Sequence, residues 1–193
     1  MTAPPAAGPR PAAAGILRVH AQALRQLALM AELAQGPAPE LAARVPAISG
    51  WSVAEQLEHL VLVDRGVLKG VGRILDEPQR AAGPDINLVG RVVLGSGFLP
   101  RGRARTRPAY EPAAMPREAL HAAILAIDRG LRDLQPRLGE LQGAAGRLPH
   151  PRFGGLGGRQ WLRFLTVHHH HHLKIVRDVR RAGGLQAIGL PSR

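Results

Sequence analysis

The chain has 193 residues, with 26 Lys or Arg against 14 Asp or Glu, a net charge of +12 and 45% hydrophobic residues. That suits one globular domain with a sizeable core and excludes an intrinsically disordered chain. The lack of Cys excludes a disulfide framework, thiolate metal sites and a Cys nucleophile, and no apolar run approaches the roughly 18 residues of a membrane span.

The positive charge would ordinarily point to nucleic acid. Of the 26 basic residues, however, only Lys69 and Lys174 are Lys, and Ala, Gly and Pro are abundant. Together these resemble the coding bias of a GC-rich genome, which raises the charge without selecting a binding face. Nucleic acid is therefore discounted as a partner. Residues 1–14 are rich in Pro and Ala and lack the uninterrupted apolar core of a signal peptide. They read as a disordered arm on a cytoplasmic protein.

The periodicity predicts a first helix over residues 16–34, with Ile16, Val19, Ala23, Leu27 and Met30 on one stripe and Gly36 and Pro37 as its stop. His20 lies beside this stripe and reads as structural or exposed. Residues 39–50 form a connector. The second helix has the clearest start. Ser52 and Glu55 make an S-x-x-E capping box, with Trp51 placed as a hydrophobic staple. It continues to about residue 75, with Pro78 beyond. His59 falls among Leu60, Val63 and Val67 at helical spacing, so it can face inward.

Residues 83–112 read as an irregular excursion with a short helix over 86–94. Arg101, Arg103, Arg105 and Arg107 alternate between Pro100 and Pro108, where prolines and Gly102 oppose helix. They read as a solvated arm, with anion binding as the functional alternative. A third helix covers residues 117–141, opened by Pro116 and kinked or ended early by Pro136. His121 falls at its surface. Residues 143–158 are a linker whose glycines allow tight turns. Ser96 sits in LGSGF, which lacks the spacing of a nucleophile elbow.

The last helix carries five consecutive histidines, His168 to His172, inside a helical pattern that continues on both sides. Trp161, Leu165, His168, His172, Ile175 and Val179 form one inward stripe. Arg163, Thr166, His170, Lys174 and Arg177 lie on the opposite, polar stripe, and His169 and His171 flank the inward pair. Gly183 and Gly184 stop the helix. Two His at i and i+4 lie one above the other, so both rings can reach one metal ion. The competing reading is a pair of hydrogen-bonded core histidines, and a third ligand from another helix would decide.

These elements predict an all-α fold, a four-helix up-down bundle with a loop-rich excursion between the second and third helices. It would span residues 15–185, followed by a tail over 186–193, with the second and last helices adjacent.

At WSVAEQLEHL, residues 51–60, the chain resembles the second-helix motif of the DinB-like (YfiT-like) metal-dependent hydrolase superfamily. HPRFGGLGGRQWLRFLTVHHHHHLKI, residues 150–175, resembles the approach to the last helix in a branch with an HPxFG motif. The resemblance covers about residues 16–184. It implies that His59 joins His168 and His172 as ligands of a divalent metal. Relatives often carry Gln three residues after the last ligand, where Ile175 stands here.

Three imidazoles leave a metal with open positions, as in a reactive site. Zn, Ni, Mn and Fe all accept such ligands. Glu55 is a weak candidate for a base, since the capping box already explains it. Glu58 should point away from His59, and His150 is a candidate for the pocket border. The function expected is a metal-dependent hydrolase or small-thiol transferase acting on a small molecule. The alternative is a non-catalytic metal- or ligand-binding bundle. A homodimer is left open.

Overall fold

The computed structural model describes residues 11–77, 81–102 and 106–191. Its elements, in order, are α1 (Pro11–Ala34), α2 (Ala38–Ala42), α3 (Val53–Asp76), α4 (Leu88–Ser96), α5 (Arg117–Leu134), α6 (Leu138–Gly143), β1 (Arg147–His150), β2 (Gly154–Gly157) and α7 (Gly158–Ala182). Helix α1 starts upstream of the expected residue 16, because Pro suits a first turn and the alanines after it favour helix. The rest of the N-terminal arm lies outside the described residues, as do Pro78, Arg103, Arg105 and the last two residues of the tail.

The four long helices α1, α3, α5 and α7 form the expected bundle. Each is amphipathic, and their apolar stripes supply a continuous core that includes Leu27, Met30, Leu57, Leu60, Ile124, Leu131, Leu165 and Val176. Helix α3 packs against α7 and α5, and α1 packs against the same two.

Side-chain pairs fix the directions. His20 in α1 donates from Nε2 to the Leu131 carbonyl at 2.7 Å, and Gln35 at the end of α1 meets His121 near the start of α5 at 2.8 Å. Helices α1 and α5 are therefore antiparallel. Gln26 donates to the Thr166 carbonyl at 3.0 Å, and Gly15 lies beside Arg159, so α1 and α7 run parallel. Trp51 ahead of α3 meets His172, and Gly70 in α3 meets Leu148 ahead of α7, so α3 and α7 are antiparallel. Glu58 binds the segment just before α5, and Leu68 meets Gly130, so α3 and α5 run parallel. The chain alternates from α1 to α3 and from α5 to α7. The excursion between α3 and α5 carries it back along the bundle before α5 begins, so the all-α bundle is as expected but its order is up-down-down-up and not simple up-down.

Pro136 ends α5 early. A 3-10 turn over Gln135–Arg137 separates it from α6. The linker expected to be loop instead forms an antiparallel hairpin, β1 with β2, pairing Leu148 with Leu156 and His150 with Gly154. Three of the four β2 residues are Gly, so no alternating apolar pattern marks this strand. The glycines are there for contact. A Cβ on Gly155 would overlap the Pro84 carbonyl, and Gly154 has φ 77°. The excursion thereby lies against the hairpin, with bridges from Ala82 to Arg147 and from Ile86 to Gly154.

Helix α7 is covered by α1, α3, α4 and the hairpin. This corrects one sequence expectation. Thr166, assigned to the polar stripe, is 0% exposed. Its hydroxyl donates to the Arg163 carbonyl at 2.9 Å, which satisfies it inside the bundle.

Candidate metal centre

The site begins with the start of α3. Ser52 Oγ accepts from the Glu55 N–H, and Glu55 accepts from the Ser52 N–H at 2.6 Å, which closes the capping box. Burial alone would raise the Glu55 pKa, but the Ser52 hydrogen bonds and the Arg44 guanidinium at 2.7 Å bring it below its ordinary value. Glu55 thus stays anionic at the helix start, and its contacts are with Ser52 and Arg44. His59 follows one turn later, on the face that meets α7.

His59, His168 and His172 are buried, and their ligand atoms all lie within 4.8 Å of one another. His168 Nε2 is 3.3 Å from His59 Nε2 and 3.2 Å from His172 Nε2. Ring centroids are 4.5–5.1 Å apart, well inside the ~8 Å beyond which bonds of about 2.0–2.1 Å could not be shared. Bonds of that length at tetrahedral angles place ligand nitrogens about 3.3–3.4 Å apart. The two separations from His168 match that geometry, and all three ligand atoms lie within 4.8 Å of one another.

The opposite edges of two rings are fixed. His59 Nδ1 donates to the Tyr110 carbonyl at 2.8 Å, and His172 Nδ1 donates to Gln56 Oε1 at 2.6 Å. In the neutral tautomers both Nε2 atoms therefore present lone pairs toward His168. A proton on His168 Nε2 can satisfy one of them. A cation can satisfy all three, so the residues fit a divalent metal.

The rings are held neutral, as ligands must be. Burial pushes the His168 and His172 pKa values well below the ordinary 6.5, and neighbouring histidines push the same way. Burial also lowers that of His59, opposed in part by the Tyr110 hydrogen bond and the Asp64 charge.

The structure separates all five histidines of the run. His168 and His172 turn to His59. His169 is 0% exposed and its Nε2 donates to Asp64 at 2.8 Å. His171 donates to the Leu99 carbonyl at 2.9 Å. His170 is half-buried and faces a small pocket shared with Arg101 and Lys174. His20 and His121 belong to helix packing, as their bonds to Leu131 and Gln35 show. His150 reaches the site only through aromatic rings. It stacks on Phe153 at 4.2 Å and meets Phe164 at 4.8 Å, and Phe164 stacks on His168 at 5.3 Å.

Comparison with known families decides the lineage. The model of the DinB superfamily matches residues 22–176, well over half of the chain. The chain belongs to the DinB superfamily. Searches of curated proteins and of solved structures return no match.

In this DinB-superfamily protein the sequence reading did not find the residues that orient the ligands. Gln56, 1% exposed, is locked by its own bond from Nε2 to Ser49 Oγ at 2.8 Å. It supplies a polar partner to His172, while Ile175 stands buried where relatives often have Gln. Trp51, expected only as a staple, places its ring 4.9 Å from His59 and 6.4 Å from His172. Its position two turns ahead of His59 was the available signal. Glu58 does point away from His59. Its carboxylate accepts from the Ala113 and Met115 N–H groups at 2.8 and 2.9 Å, fixing the segment that offers the Tyr110 carbonyl. In the basic segment, Arg101 pairs with Asp178 at 2.7 Å and Arg107 is exposed.

Proposed function

We propose that the chain is a divalent-metal-dependent enzyme, a hydrolase or small-thiol transferase, with His59, His168 and His172 as the metal ligands. The supporting observation is the convergence of three neutral imidazole Nε2 atoms at ligand spacing. A divalent metal held there supplies Lewis acidity, polarising a substrate oxygen or acidifying water at neutral pH. Three His ligands leave coordination positions for substrate, and they suit Zn, Ni, Mn or Fe alike. The chain's own contribution is orientation and shielding. Gln56 and the Tyr110 carbonyl hold two rings by their far nitrogens, and the Trp51 ring shields one side of the triad.

One observation favours a second reading, a metal-binding bundle without catalysis. Glu55, Glu58 and Asp64, the carboxylates around His59 on α3, are engaged by Ser52, by the 113–115 backbone and by His169. None of them has a bond to the three ligands. Proton transfer would then fall to the metal site itself or to the substrate. No helix of the described residues is long and apolar enough to cross a membrane.

The test is turnover. Protein freed of metal and reloaded with each divalent ion is assayed on ester, amide and thiol-conjugation substrates, beside His59→Ala. Metal-dependent turnover that His59→Ala abolishes supports the enzyme. Tight metal binding with no turnover across the panel supports the binding protein.

A further inference from the structure

A cavity of about 680 Å³ opens on the side of α7 away from the histidine triad, between α1, α4 and α7. Arg18 and Arg25 of α1, Arg91 of α4, and Arg159 and Arg163 of α7 line it, and no Asp or Glu does. Val19, Ile86 and Leu94 give it an apolar floor. Coding bias explains why this chain uses arginine, but it does not explain this placement. Elsewhere Arg44, Arg132, Arg137 and Arg180 each meet a carboxylate within hydrogen-bonding distance, while Arg65, Arg73 and Arg129 do not among the described residues. What marks this cleft is that five arginines share one cavity with no acid in its lining. Arg18, Arg25, Arg91 and Arg159 have no such partner among the described residues.

The cleft is built rather than incidental. Arg163 donates from Nε to the Leu94 carbonyl at 3.0 Å, tying α7 to α4 across it. The guanidinium of Arg159 lies over Gly15, close enough that a Cβ there would be in ordinary contact with it, 3.4 Å from Nη2. Helix α7 begins at this cleft and has no acid in its first turn, so its positive end adds to the field. The guanidinium groups of Arg18, Arg25, Arg91 and Arg159, gathered in one cavity whose lining holds no acid, repel one another unless an anion lies between them. Their planar forks match phosphate oxygens two at a time.

We propose that this cleft binds a small anion carrying two or more phosphoryl groups. Its volume lies in the range of about 300–1,000 Å³ usual for small-molecule sites. The site is separate from the triad and does not depend on how the metal reading fares.

The test uses the full chain carrying His59→Ala, so that chelation of a metal at the triad does not enter. Inorganic tripolyphosphate is titrated calorimetrically. The expected result is saturable binding of one equivalent. Arg91→Gln and Arg159→Gln should each weaken it at least about tenfold, in line with loss of a charge-assisted hydrogen bond. Gly95→Glu, which adds an acid where a Cβ meets nothing within 4 Å, should weaken it too. Arg129→Gln, exposed on α5, should leave it unchanged. Absence of saturable binding overturns the proposal, as does equal loss in Arg129→Gln. Two further arms distinguish the source of phosphate. Binding to vesicles of anionic phospholipid without binding to tripolyphosphate assigns the cleft to a membrane surface and overturns the small-ligand reading. Tighter binding to a single-stranded oligonucleotide, falling steeply with salt, assigns it to nucleic acid and overturns it equally.

Discussion

His172 Nδ1 donates to Gln56 Oε1 at 2.6 Å across the α3–α7 interface. This one bond sets the tautomer of His172 and turns its Nε2 lone pair toward His168. Such partners usually matter about 10–100-fold in metal affinity. Gln56→Leu keeps the volume and removes the acceptor. We expect it to weaken metal binding about 10–100-fold, read by competition with a chromophoric chelator. An unchanged affinity would mean that packing alone orients the ring.

Glu58 acts on the other fixed ligand through the backbone. It accepts from Ala113 and Met115, and the same segment offers the Tyr110 carbonyl to His59. Between them Ala114 holds φ 61°, a left-handed conformation that a free chain would leave. Glu58→Ala should destabilise the fold by about 1.5–3 kcal/mol in denaturant unfolding, the range for hydrogen bonds to a charged group. It should also weaken metal binding. Ala114→Gly should recover part of the lost stability, because glycine adopts that φ without strain. Loss of stability with metal affinity intact would separate this segment from the site.

The last helix shows what the sequence could and could not convey. A 3.6-residue period identifies His168 and His172 as one face because it needs only α7 itself. It fails for Thr166, since burial there depends on α1 packing over that face, where Gln26 donates to the Thr166 carbonyl. Gln56 went unseen for the same reason. A polar residue on a helix announces no partner until the facing helix is placed. The hairpin was hidden by its glycines, which a strand pattern does not reveal. The expected up-down order failed at α5, which runs parallel to α3, because direction follows from how far the excursion carries the chain.

His150 offers a pH signature outside the triad. Burial, together with the nearby Arg107 and Arg152 charges, lowers its pKa to about 4. In the unfolded chain it titrates near the ordinary value of about 6.5. The unfolded state therefore binds the extra proton between those two values, and folding stability falls as pH drops from about 6.5 toward 4. His150→Gln removes this contribution. Its unfolding free energy should decline less steeply over that window than that of the wild type, measured by urea titration at several pH values. Parallel curves would show that the ring is freely protonated in the fold.

The central claim is that helix geometry makes ligands of some histidines and bystanders of others. Five identical side chains stand in one run, and only two of them reach His59. The decisive measurement is metal stoichiometry and affinity in His59→Ala, His168→Ala, His172→Ala and His170→Ala at neutral pH. The account predicts a loss of about 100-fold or more for each of the first three, since one of three metal–nitrogen bonds is removed, and no measurable loss for His170→Ala. Equal, small losses across His168, His170 and His172, with none for His59→Ala, would contradict it.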